Sequence, residues 1–283
     1  MLQCARLFKR DVHSMSEHET YTSDTALAVP TEHTETASIH VELAAETLGT
    51  FLGMPITNTL ITTWVVMFLM IAIALVLRRK IAMIPGRMQT LFEALFDFAL
   101  SQMTQILESE KMARRFFPLI ITIFLFVAVA NSLHFVPGIG SIGFFQATDH
   151  GNTFVPLLRS VNTDLNATLA LTIISFLTIE ITGIVTIGFF RYAGKFLNFK
   201  SILGFIVGII ELMSEMIRLV SFSFRLFGNI FAGEVLIAVI AYFVPVLLPV
   251  PLMGFELFVG VIQALIFALL TLLFIRLAVV EPH

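Results

Sequence analysis

The chain has 283 residues, 57% of them hydrophobic and 13% charged, with a mean hydropathy of +0.93. A soluble domain carries roughly a quarter charged residues, so this composition excludes an ordinary soluble enzyme and points to a membrane protein. A net charge of -3 without a long basic run gives nucleic acid no footing, and the single cysteine, Cys4, excludes an internal disulfide framework.

Residues 1–45 read as a polar, acidic, mostly disordered tail. A short basic start (Arg6, Lys9, Arg10) gives way to Glu17, Glu19, Asp24, Glu32 and Glu35, with no apolar run of signal-peptide length. The tail histidines His13, His18, His33 and His40 are irregularly spaced and read as solvated side chains, not a metal site. Residues 46–283 read as a membrane domain.

The first crossing, about 57–77, is free of charge and stops at Arg78, Arg79 and Lys80. Segment 86–113 places Leu91, Leu95 and Phe98 between polar residues, as an amphipathic helix at the membrane surface does. A second crossing, about 116–136, follows Lys111, Arg114 and Arg115 and closes at Pro137-Gly138. A Gly-rich polar loop, 138–164, leads to a third crossing at about 165–190. Hydrophobic sequence then continues from 201 to 280, punctuated by Pro245, Pro249 and Pro251. The prolines mark a long tilted hairpin between crossings at about 201–244 and 252–280. The predicted fold is therefore all-α and polytopic, with about five crossings and one interfacial helix.

Ten of the 17 Lys and Arg residues lie in 78–115 and 191–200, while 11–56, 137–164 and 243–253 hold only Arg159. The positive-inside tendency sets the tail outside and the C-terminus in the cytoplasm. A bacterial plasma membrane suits this topology better than an organelle inner membrane.

Charged side chains cost about 2.5–3.5 kcal/mol each at the centre of a membrane helix, yet the last third contains several. On a continuous helix Glu211, Arg218, Arg225 and Asn229 fall on one stripe, because their spacings of 7, 7 and 4 nearly complete whole turns. Glu234, nine residues past Arg225, points the opposite way and lies farther along the axis. On the next helix Glu256 and Gln263 share a face, and antiparallel packing sets them beside Glu234. Two polar regions with a permanent cation between them suit two half-channels that never join. Glu215 stands about 80° off the stripe and is read as facing either the site or headgroup water. Glu180, inside the third crossing, is read equally as channel lining or as helix-pairing glue.

The strings SFRLFGNIFAGE (223–234) and GFELFVGVIQALIF (254–267) resemble the signature and final helix of F-type ATP synthase subunit a. The resemblance extends through PLIITIFLFVAVANSLHFVPG (118–138) and TDLNATLALT (163–172), covering about 57–280. It implies a stator subunit whose Arg225 faces the essential carboxylates of the rotating c-ring, with Asn229 supporting the site. Glu234, Glu256 and Gln263 would line the outer half-channel, and Glu211 would belong to the cytoplasmic exit. The implied partners are the c-ring, the peripheral-stalk subunit b, the rest of the complex and membrane lipid.

Further candidates for ion translocation are Glu215, Arg218, Glu180 and His134. The chain departs from the family pattern at Leu219 and His134, and it lacks the usual proline before Asp164. No phosphate loop, metal cluster or nucleophile–base motif is evident, so neither catalysis nor a cofactor or metal is expected. A secondary transporter with a buried Arg–Glu site is the alternative.

Overall fold

The computed structural model describes residues 45–51, 53–80, 86–133, 135–136, 142–148, 151–196, 202–244 and 247–279. The expectations for the tail, for His134 and for the break at Pro245 lie outside these residues. Among those described are seven α-helices and two small hairpins. Strands β1 (Thr47–Phe51) and β2 (Met54–Thr57) precede α1 (Asn58–Lys80), α2 (Arg87–Leu107) and α3 (Glu110–Leu133). Then come β3 (Gly143–Thr148), β4 (Gly151–Pro156), a 3₁₀ turn (Val161–Thr163), α4 (Leu165–Ile187), α5 (Phe189–Phe196), α6 (Ile202–Phe243) and α7 (Pro249–Val279).

Five helices are long and apolar enough to cross a membrane: α1, α3, α4, α6 and α7. At 1.5 Å per residue the 42 residues of α6 span about 63 Å, roughly twice a hydrocarbon core. Such a helix cannot stand upright within the core, which agrees with a tilted hairpin.

Several boundaries differ from expectation for local reasons. The amphipathic segment ends at Leu107, because Glu108 turns left-handed with φ 53°. Ser109 then opens α3: its Oγ accepts from the Met112 N–H and its carbonyl from the Ala113 N–H. The second crossing therefore begins earlier than 116, carrying Lys111, Arg114 and Arg115 in its first turns and Pro118 within the helix. The third crossing stops at Ile187, where Gly188 takes φ 94°, and 189–196 forms a separate short helix. Helix α7 starts at Pro249, ahead of the expected 252. Prolines fit the first turn, whose N–H groups need no intrahelical acceptor. The loop 138–164 holds the β3–β4 hairpin, antiparallel from Gly143↔Pro156 to Thr148↔Gly151.

Helix α7 is the spine, packing against α2, α3, α4 and α6. One core cluster joins Leu107, Phe116, Ile120 and Ile179 to Leu272 and Ile275, and a second joins Val127 to Phe222, Leu226 and Phe267. The outward faces are apolar instead: Phe68, Ile181, Phe190 and Phe255 are all exposed, as lipid contact requires. Leu91, Leu95 and Phe98 likewise stand bare on α2, while Met103 and Leu107 turn into the core.

Polar groups inside the bundle are tied together. The Asn131 amide donates to the Gly260 carbonyl at 2.9 Å, and Asn162 donates to Asn131 Oδ1 at 2.5 Å, stapling α3, α7 and the 3₁₀ turn. Asp164 caps α4 through the Asn166 N–H and accepts from the Thr59 hydroxyl at 2.8 Å, drawing in α1. Buried polar atoms that lose their partners cost about 1–3 kcal/mol. Asn131→Leu is therefore expected to destabilise the detergent-solubilised chain by about that amount, read as a lower melting midpoint against the unchanged protein.

Candidate functional site

The site is built along α6 and α7. Position 222 lies 60° from Arg225 around α6 and position 226 lies 100° away at ideal pitch. Phe222, Leu226 and Ile230 are all buried, so the core lies to that side. Arg225 itself is exposed. Its Nη2 lies 3.5 Å from Ser221 Oγ and its Cζ lies 6.0 Å from the Phe222 ring centre. It makes no ion pair among the described residues. On its open side stand the exposed hydroxyls Ser214 and Ser221 and, beyond them, the apolar Ile217, 63% exposed, Val220, 51%, and Phe224, 56%.

The expected stripe is present in part. Glu211, Arg218 and Asn229 are half-buried, each turned farther toward the core than Arg225. Glu215 does not face headgroup water. Its 80° offset runs toward Phe222 and Leu226, leaving it 5% exposed, and Arg218 Nη1 donates to its Oε2 at 2.6 Å. The Phe274 ring of α7 lies 3.9 Å from the Arg218 guanidinium carbon. Both arginines border one open pocket of about 280 Å³, lined also by Ser214, Ser221, Leu270 and Phe274.

The second polar region lies at the other end of α6. Glu256 is 6% exposed and Gln263 is 7% exposed on the inner face of α7, while Asn229 and Glu234 are half-buried on α6. Both Glu256 oxygens, Glu234 Oε2, Asn229 Nδ2 and Gln263 Nε2 are buried without a hydrogen-bond partner among the described residues. The two carboxyl groups are close enough to feel each other's charge. Gly233 makes the approach: a Cβ there would lie 2.2 Å from Glu256 Oε1 and 2.9 Å from its Cγ. The hairpin thus brings Glu234 and Glu256 together as the spacing predicts, and it sets Gln263 on the Glu256 face. The Asn131–Gly260 bond falls between Glu256 and Gln263, and so fixes the turn that carries both.

Glu180 sits apart. It accepts from the Tyr192 hydroxyl at 3.0 Å, and the Tyr192 ring rests on Gly183, where a Cβ would come within 2.5 Å of it. Burial first, and then the Glu180 carboxylate, hold the Tyr192 phenol above the ordinary tyrosine range. Sequence reasoning missed Tyr192, Asn131, Asn162 and Phe274. Asn131 alone left a signal, as an amide inside an otherwise apolar crossing.

This arrangement defines a class: a polytopic membrane protein whose last two helices hold, among the described residues, a cation without an ion pair and a buried acid–amide cluster without hydrogen-bond partners. The family model described as ATP synthase A chain matches residues 60–276. The ATP synthase subunit a of Mycobacterium bovis is 37% identical over 244 residues, covering 83% of this chain and 92% of that protein. That of Gloeobacter violaceus is 37% identical over 227 residues, covering 80% and 85%. The Propionigenium modestum protein named ATP synthase subunit a, sodium ion specific, is 32% identical over 234 residues, covering 79% and 74%. The chain belongs to the ATP synthase A chain family.

Gly233→Ala tests the carboxyl socket. The clash falls on a flexible side chain, so the fold is expected to survive with a stability change under about 1 kcal/mol. The Glu256 carboxyl is expected to leave its position. Its infrared carboxyl band, assigned by its loss in Glu256→Gln, should shift while the melting midpoint stays nearly fixed.

Proposed function

We propose that this chain is the ion-conducting stator subunit of a rotary ATP synthase, with Arg225 separating two half-channels that serve a ring of partner carboxylates. The coarser part follows from family: the chain is a multi-pass membrane protein of the ATP synthase A chain family. One observation supports the finer part most. Arg225 is exposed among lipid-facing apolar residues and has no acid partner among the described residues. A bare guanidinium is costly in a bilayer, whereas one covered by a partner's carboxylate is satisfied.

A proton from outside reaches the Asn229–Glu234–Glu256–Gln263 cluster. Its carboxyl and amide atoms lack protein partners and so have hydrogen bonds free for water and a moving proton. The proton then neutralises a ring carboxylate, which can turn into lipid once uncharged. On the other side of Arg225 the returning carboxyl releases its proton toward Glu211. The carboxylate left behind is drawn to Arg225, whose guanidinium stays protonated and bars a direct proton path. Each charge crossing 100 mV supplies about 2.3 kcal/mol, so several must be gathered per ATP.

The chain performs no catalysis of its own in this reading, and the synthesis step belongs to the soluble head. Its other partner in the membrane is the peripheral-stalk subunit b. The setting is a bacterial plasma membrane, with the N-terminus outside and the C-terminus in the cytoplasm. The relatives named above are bacterial, which supports the setting.

The decisive measurement is ATP-driven acidification of inverted vesicles carrying the whole complex. Arg225→Ala is expected to remove acidification while the subunit still assembles with the ring. Normal pumping by that variant would sink the stator reading. Saturable solute uptake by the isolated chain would favour a secondary transporter instead.

A further inference from the structure

Two guanidiniums share one cavity and are treated in opposite ways. Arg218 and Arg225 stand seven residues apart on α6, nearly two whole turns, and both line the cavity of about 280 Å³. A carboxylate brought to this face by a partner would meet two cations about 10 Å apart along the axis, where a stator needs one. Arg218 is already engaged. Its Nη1 donates to Glu215 at 2.6 Å, and its guanidinium lies 3.9 Å from the Phe274 ring centre. Among the described residues Arg225 has only the Ser221 hydroxyl at 3.5 Å and a more distant ring.

We propose that Glu215 is a specificity-determining residue that neutralises Arg218, so that a partner's carboxylate is drawn to Arg225 alone. The inference rests on Arg225 being the docking cation for a ring carboxylate. An ion pair in contact presents little net field at a distance, so Arg218 ceases to compete. Its planar group, bonded to a carboxylate and covered by a ring, is also held away from the open side. The burial of Glu215 makes the pair durable, because separating it would leave a buried carboxylate without its cation. Glu215 is thus a positioning group for charge, acting through Arg218.

The test uses the assembled complex in inverted vesicles, with ATP hydrolysis and ATP-driven acidification measured together. Glu215→Gln keeps the side chain's size and removes its charge. The expected result is a stalled rotor. Acidification and hydrolysis fall together by roughly tenfold, the released soluble head hydrolyses ATP normally, and the amount of assembled subunit is unchanged. Adding Arg218→Gln is expected to return both rates to within about twofold of the starting complex. A merely structural pair would lower assembly or thermal stability instead of stalling hydrolysis. The proposal is overturned by a defect that Arg218→Gln does not relieve, by hydrolysis that continues while acidification fails, by loss of assembly, or by no defect at all. Failure of the underlying reading is seen separately, as pumping that persists in Arg225→Ala with Glu215 intact.

Discussion

The structure turns on the cost of holding charge where water is scarce. A lone guanidinium in hydrocarbon is several kcal/mol unfavourable, and pairing or hydration must relieve it. The chain pairs Arg218 with Glu215, while Arg225 has no ion pair among the described residues. The two arginines thus stand in different surroundings on one helix, Arg225 with Ser214 and Ser221 beside it and exposed apolar side chains beyond them. The acid–amide cluster beyond it is likewise incomplete, with carboxyl and amide atoms buried and unpartnered among the described residues.

Keeping such groups in place demands a rigid frame, and α7 supplies it. The helix carries Glu256, Gly260 and Gln263 on one face and continues into Phe267, Leu272 and Ile275, buried against α3, α4 and α6. Asn131 grips the Gly260 carbonyl from α3, and Asn162 holds Asn131 from the turn before α4. These bonds lie between helices in an apolar medium, where the polar atoms have few other partners. Thr168, Thr172, Ser175 and Gly183 line the buried side of α4, small enough to let backbones approach closely. Loose packing here would let the cluster drift relative to Arg225.

Much of this was legible in the sequence because helical periodicity and apolar run length are local properties. The five crossings follow from long apolar stretches in which charges are few, and the Glu234–Glu256 approach follows from two spacings and one proline hairpin. The departures have equally local causes that hydropathy does not register. Glu108 and Gly188 reverse φ, ending α2 and α4 early, and Pro249 and Pro251 sit inside a first turn instead of before it. What stayed invisible needs two distant segments at once. Nothing in the vicinity of Tyr192 announces Glu180, and nothing near Asn162 announces Asn131.

The two arginines mark the limit of periodicity most clearly. Angular position places Arg218 and Arg225 on one stripe and assigns them the same environment. The structure separates them through a residue 80° away around the helix and a ring from another helix. Glu215 lies off the stripe, and that offset turns it inward to meet Arg218 while Arg225 keeps an open side. A helical wheel records where side chains start; which charge remains available to a partner is decided by what the bundle packs over each one.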